Sequence, residues 1–216
     1  MSIYDLIKKN EIKELFLLFK NKYFYISFFI LFIGISSNFF SQTYLYKSLD
    51  NGKKLPSLSD LILDNIPYYN VSWLYDWIAF FSFIIFLIYI INKKEYKKIP
   101  FFMITIGIFE LIRGIFIILT PIGNPPHFNG SESIFNGFSK YELGVYPSGH
   151  TGNLTLYFLF TKGIARYTIL FFSIIMIIAL FLSRGHYSID ILSGILFAYA
   201  VYCFCNNYLK RFKGEI

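Results

Sequence analysis

The sequence predicts an all-α integral membrane protein, a bundle of six transmembrane helices, on three observations. Apolar residues make up 56% of the 216, with a mean hydropathy of +0.53, against about 45–50% in an ordinary soluble domain. That surplus is gathered into runs near the length of about 20 residues that one crossing needs. The Lys and Arg residues flank those runs, as membrane orientation requires. The formal charge of +7 is therefore assigned to topology, and a nucleic-acid partner is not expected.

Each span follows from one apolar run. They are drawn at about 22–41, 73–92, 99–120, 148–165, 167–184 and 187–207. Residues 1–21 read as a basic amphipathic segment on the membrane surface, 22–207 as the transmembrane domain, and 208–216 as a basic tail. The first run lacks a small-residue cleavage site and reads as a retained helix. Fourteen of the 20 Lys and Arg residues lie in "KKNEIKELFLLFKNK", "NKKEYKK", "TKGIAR" and "NNYLKRFKGEI". These are alternate connections, so both termini are expected in the cytoplasm. The connections at about 42–72, 121–147 and 184–186 are then expected on the outer face.

Two polar stretches interrupt this chain on that outer face. "SRGHYSID", 183–190, opens the sixth span. His186 and Asp190 are four apart, which on a helix puts them on one face. An Asp so placed can hold one imidazole nitrogen and leave the other as nucleophile or base; alternatively both side chains are simply solvated at an interface. "YPSGHTGN", 146–153, opens the fourth span, with His150 in or near the first turn. Unpaired N–H groups and the helix dipole suit that place to an anion. Ser148 can cap the helix or donate to the same anion. The histidines are 36 residues apart, a helical path of about 54 Å. That distance is roughly one crossing and its return, so both are expected at one face.

The third span carries Glu110 and Arg113 within "FELIRGIFIILTP". A charge at mid-helix costs roughly 2.5–3.5 kcal/mol on insertion scales, so it pairs or lines a polar cavity. Either Glu110 and Arg113 neutralise each other, or Arg113 reaches toward the histidines and forms with Arg184 a two-arginine clamp for an oxyanion. No carboxylate cluster at ligand spacing suggests a metal site, and no cofactor is expected. Cys203 and Cys205 read as packing or lipid-facing residues, and His127 as a loop residue. Asn70 and Asn129 open Asn-x-Ser stretches in the outer connections.

"PSGH" at 147–150 and "HYSID" at 186–190 resemble, in order and spacing, the type 2 phosphatidic acid phosphatase superfamily, a six-helix membrane fold. The superfamily's Lys-x(6)-Arg-Pro stretch is altered here: Arg113 stands in the Lys place and Thr120-Pro121 in the Arg-Pro place. Leu180 stands where the superfamily has an Arg six residues before the second His. Three stretches resemble the sphingomyelin-synthase-like branch: "LPSLSDLILDNIP" at 55–67, "RGIFIILTPIGNPP" at 113–126 and "RGHYSIDIL" at 184–192. The resemblance implies that His186, oriented by Asp190, attacks the phosphorus of a lipid head group and forms a phosphohistidine. His150 would protonate the leaving oxygen. Arg113, Arg184, Ser148 and the backbone near Gly149 would hold the phosphoryl oxygens.

Three functions follow. One is a transferase moving a phospho-head group from a phospholipid to a lipid alcohol. Another is a lipid phosphate phosphatase, with water as acceptor. The third is a non-catalytic lipid-binding or transport protein, against which the full set of His150, His186 and Asp190 argues.

Overall fold

The computed structural model describes residues 16–48, 55–126 and 146–214. His127, Asn129 and residues 1–15 of the amphipathic segment lie outside the described residues. After a helical stretch at 16–20, six α-helices follow in order: α1 Lys22–Ser48, α2 Ser72–Lys93, α3 Ile99–Leu119, α4 Gly149–Phe160, α5 Ile164–Leu182 and α6 Ser188–Tyr208. Among the described residues there is no strand. Five of the helices, all but α4, are long and apolar enough to cross a membrane.

The expected fourth span differs. α4 has 12 residues, about 18 Å at 1.5 Å per residue, well short of a hydrocarbon core of about 30 Å. Both ends explain the difference. At its start, Arg113 Nε donates to Pro147 O at 3.0 Å, so α4 begins beside a residue six positions before the end of α3. Its start is thus tied to a side chain from within α3 rather than to the end of that helix. At its other end the chain leaves the helix at Thr161, and Gly163 adopts φ +61. Arg166 closes this end by donating through Nε to Phe158 O and Thr161 O, a cation on the carbonyl end of a helix.

Aromatic packing closes the bundle beneath α4. Phe86 of α2 stacks on Tyr157, with centroids 5.0 Å apart, and Phe102 of α3 meets Phe160 at 4.7 Å. Tyr202 of α6 lies 6.0 Å from Phe160. At the opposite end, Tyr75, Leu154, Met176, Leu180 and Ile191 join α2, α4, α5 and α6 in a second buried cluster.

α1 lies along α3 at backbone contact. A Cβ at Gly107 would stand 2.7 Å from Leu31 Cα, and one at Gly34 would meet Gly107 O. Small residues permit this approach, and in lipid such close packing replaces a hydrophobic driving force. Replacing Gly107 by Leu should separate α1 from α3 at a cost of roughly 1–3 kcal/mol or more. A thermal unfolding curve in detergent, read against wild type, checks this; an unchanged midpoint would mean that the two helices do not touch there.

Candidate active site

The two polar stretches of the sequence meet because the first turns of α4 and α6 are joined. Ser148 N–H donates to Asp190 O at 3.0 Å, and Thr151 Oγ1 donates to Ile191 O at 3.2 Å. A Cβ at Gly194 would lie 2.5 Å from both Ser148 O and Thr151 Oγ1, so glycine is what lets α6 approach this closely. The result brings the His150 and His186 rings to 5.8 Å between centroids, edge to face.

His186 is 6% exposed and Asp190 1%. His186 Nδ1 stands 3.2 Å from Asp190 Oδ2, which also accepts the Tyr187 N–H at 3.1 Å. A carboxylate only accepts, so Nδ1 carries the proton and Nε2 is left with its lone pair. Burial pushes the imidazole below its ordinary value, the hydrogen bond and charge of Asp190 oppose that shift, and His150 and Arg113 add to it. His186 is thus held neutral, with one nitrogen free to attack or accept a proton.

His150 is less enclosed, its side chain 31% exposed. With Arg113, Gly149, Asn153, Leu154 and Tyr157 it lines a cavity of about 260 Å³. Its Nε2 lies 3.7 Å from Oδ1 of Asp76, a buried residue of α2. Gly149 has a direct role here. A Cβ at that position would sit 2.7 Å from the Arg113 guanidinium carbon, so only glycine lets the cation lie against the start of α4. Ser148 is buried and acts as the N-cap, its Oγ accepting from Thr151 N–H at 3.4 Å.

Arg113 makes the expected pair with Glu110 and also reaches the cavity beside His150, without Arg184. It pairs with Glu110 Oε2 at 3.3 Å and borders the His150 cavity. Its position is fixed by a buried network. Asn38 of α1 accepts from Arg113 at 3.2 Å and donates to Glu110 Oε2 at 2.8 Å, while Asn153 donates to Glu110 Oε1 at 2.7 Å. Asn38 and Asn153 were not singled out in the sequence. The signal was there, since an amide inside an apolar run must find a partner.

Arg184 is placed differently from the expected clamp. Its backbone is left-handed, φ +58, and its guanidinium donates to Leu63 O and, at 2.9 Å, to Ile66 O. Those bonds turn it onto the 55–66 segment, with two of its nitrogens occupied there. The same segment is tied to α6 by Asp60, whose Oδ2 accepts Ser188 N–H at 2.6 Å and whose Oδ1 accepts Ile62 and Leu63 N–H. Burial raises the Asp60 carboxyl, but these hydrogen bonds outweigh it and hold the group below the usual range. Tyr187 Oη accepts Leu58 N–H at 2.9 Å. The segment is therefore a strap pinned across the start of α6. Among the described residues no group of three or more His, Cys, Asp or Glu side chains is gathered as for a metal ion.

The model of the PAP2 superfamily C-terminal domain matches residues 146–208. The match supports the PAP2 superfamily. It takes in both histidines, Asp190 and the joined helix starts, and leaves out Asp76, Glu110 and Arg113. It is consistent with an enzyme acting on phosphate esters. No curated protein matches the chain.

A buried neutral imidazole has a consequence for stability. The folded value of His186 lies below the unfolded value of about 6.5. Its stabilising contribution is then complete above about pH 6.5 and is lost as pH falls below that, because the unfolded chain binds the proton more readily. The thermal midpoint in detergent should fall as the pH drops below about 6.5, and less so in His186→Gln. Parallel pH curves for the two proteins would show that His186 is not the group responsible.

Proposed function

We propose that this is a membrane enzyme that breaks a lipid phosphoester by attack of His186 Nε2 on phosphorus and passes the phospho-head group to a lipid alcohol. What carries the reading is the pair of imidazoles 5.8 Å apart, one buried against its own Asp190 and one bordering an open cavity. In the first step Nε2 forms the P–N bond of a phosphohistidine while His150 gives its proton to the departing alcohol oxygen. Nδ1 stays against Asp190, which offsets the charge that develops on the ring. Arg113 and the N–H groups of Gly149 and His150 face the phosphoryl oxygens. In the second step His150, now neutral, takes the proton of the acceptor hydroxyl as that oxygen attacks phosphorus and His186 departs.

The lipid alcohol is favoured as acceptor by the strap. Its "LPSLSDLILDNIP" stretch resembles the sphingomyelin-synthase-like branch, and Asp60 within it is fastened to Ser188. Water in the same second step gives a phosphatase. Incubation in detergent with labelled phosphatidylcholine, phosphatidylethanolamine or phosphatidic acid, with and without diacylglycerol or ceramide, separates the two. Label is expected in a new lipid only when a lipid alcohol is supplied. Label released as a water-soluble phosphate compound regardless of that addition would favour the phosphatase. In either case His186→Ala should lower turnover by at least about 10⁴-fold in a folded protein; normal turnover would end the covalent mechanism.

The Lys- and Arg-rich connections place the site, on this reading, at the outer face and both termini in the cytoplasm. A reactive tag at the C-terminus of the protein in sealed cells should be labelled only after permeabilisation. Labelling of intact cells would reverse the orientation.

A further inference from the structure

Each histidine stands beside a buried carboxylate, and the PAP2 match takes in Asp190 but not Asp76. His186 has Asp190 on Nδ1 at 3.2 Å, and His150 has Asp76 on Nε2 at 3.7 Å. Each carboxylate is almost wholly buried, and each retains one oxygen with no hydrogen-bond partner, Asp190 Oδ1 and Asp76 Oδ2. A buried carboxylate without full pairing is costly. α2 is otherwise apolar along its whole length apart from Ser72, Ser82 and its terminal Asn92 and Lys93. Asp76 faces inward to the site, where the Tyr75 ring beside it meets His150 at 5.1 Å.

We infer that Asp76 is a positioning residue for His150, so that the site is built from two His–Asp pairs sharing one phosphorus. The inference rests on the proposed role of His150 as proton donor. Asp76 Oδ1 faces Nε2 at 3.7 Å, an ion-pair distance just beyond hydrogen-bond reach. Drawn in by a protonated ring, it accepts from Nε2–H and thereby assigns the ring nitrogens: Nε2 keeps its hydrogen, and Nδ1 is the nitrogen that exchanges a proton with substrate. In the forward step the P–O bond breaks with its electron pair going to the alcohol oxygen, which takes the Nδ1 proton of His150. In the return step neutral Nδ1 accepts the hydrogen of the incoming hydroxyl. Asp76 neither gains nor loses a proton in either step. It fixes the ring plane and faces the positive charge present whenever both nitrogens are protonated.

A structural role alone would lower activity evenly across substrates, whereas a role exercised through His150 depends on the leaving group. Wild type, Asp76→Asn and Asp76→Glu are compared in detergent on two phosphocholine esters, one of an alkyl alcohol and one of p-nitrophenol, which departs without a proton. Asp76→Asn should lower kcat/KM for the alkyl ester, which reports the first step alone, on the order of 10- to 100-fold, part of the 10²–10⁴ that a positioned acid contributes. Its kcat/KM on the nitrophenyl ester should fall less than about threefold. Asp76→Glu, which restores a carboxylate at slightly longer reach, should recover most of the alkyl activity. Equal losses on both esters, or no recovery with Glu, would overturn the inference. His150→Ala in the same assay tells which claim has failed. If His150→Ala discriminates between the esters and Asp76→Asn does not, Asp76 alone loses its role. If neither does, the proton-donor role of His150 fails and takes this inference with it.

Discussion

The site depends on one short junction, the hydrogen bonds from Ser148 N–H and Thr151 Oγ1 to the carbonyls of Asp190 and Ile191. The first N–H groups of a helix have no partner within it. Here one such group at the start of α4 is satisfied by the first turn of α6. Because the two helices start side by side, the side chains at and just before their starts are forced together. His150 is the second residue of α4, and His186 lies two residues before α6. Glycine at 194 and 149 makes room for this junction and for the cation beside it. Larger residues there would push α6 off α4, or Arg113 off the helix start, and the imidazoles would no longer share a ligand.

A second constraint holds Arg113 in place. In an apolar bundle, a buried charge must be answered on every side, since water is not at hand to complete its hydrogen bonds. Glu110 has both carboxylate oxygens occupied, by Asn38 and Arg113 on one and by Asn153 on the other. The network takes in α1, α3 and α4. It explains why α1, which contributes nothing to the histidines directly, packs so tightly on α3: its Asn38 completes the setting of the cation. Such networks are costly when half satisfied and rigid when complete.

The helices were legible because an apolar run of one membrane thickness has few other uses. The drawn boundaries of α2, α3 and α6 differ from the observed ones by at most one residue at either end. α4 was drawn too long because hydropathy does not register what ends a helix: its start is tied to Arg113 through Pro147 O and its far end to Arg166, both tertiary facts. The histidine pair was legible from residue chemistry and from a path length that returned both to one end. Arg184 misled, because closeness in sequence to His186 says nothing of direction, and its left-handed backbone turns it onto the strap. Asp76 was hidden among Trp and Tyr near the start of α2, where a helix-end carboxylate ordinarily meets water; only packing shows it buried and turned toward His150.

The central claim is that a single phosphorus sits between His150 and His186. An experimental structure of the protein soaked with vanadate, which takes up the five-coordinate geometry of phosphoryl transfer, tests this most directly. The account predicts vanadium bonded to His186 Nε2, with a His150 nitrogen hydrogen-bonded to one of its oxygens and Arg113 beside another. Vanadate bound elsewhere, or held by only one of the two imidazoles with the other turned away, would contradict it.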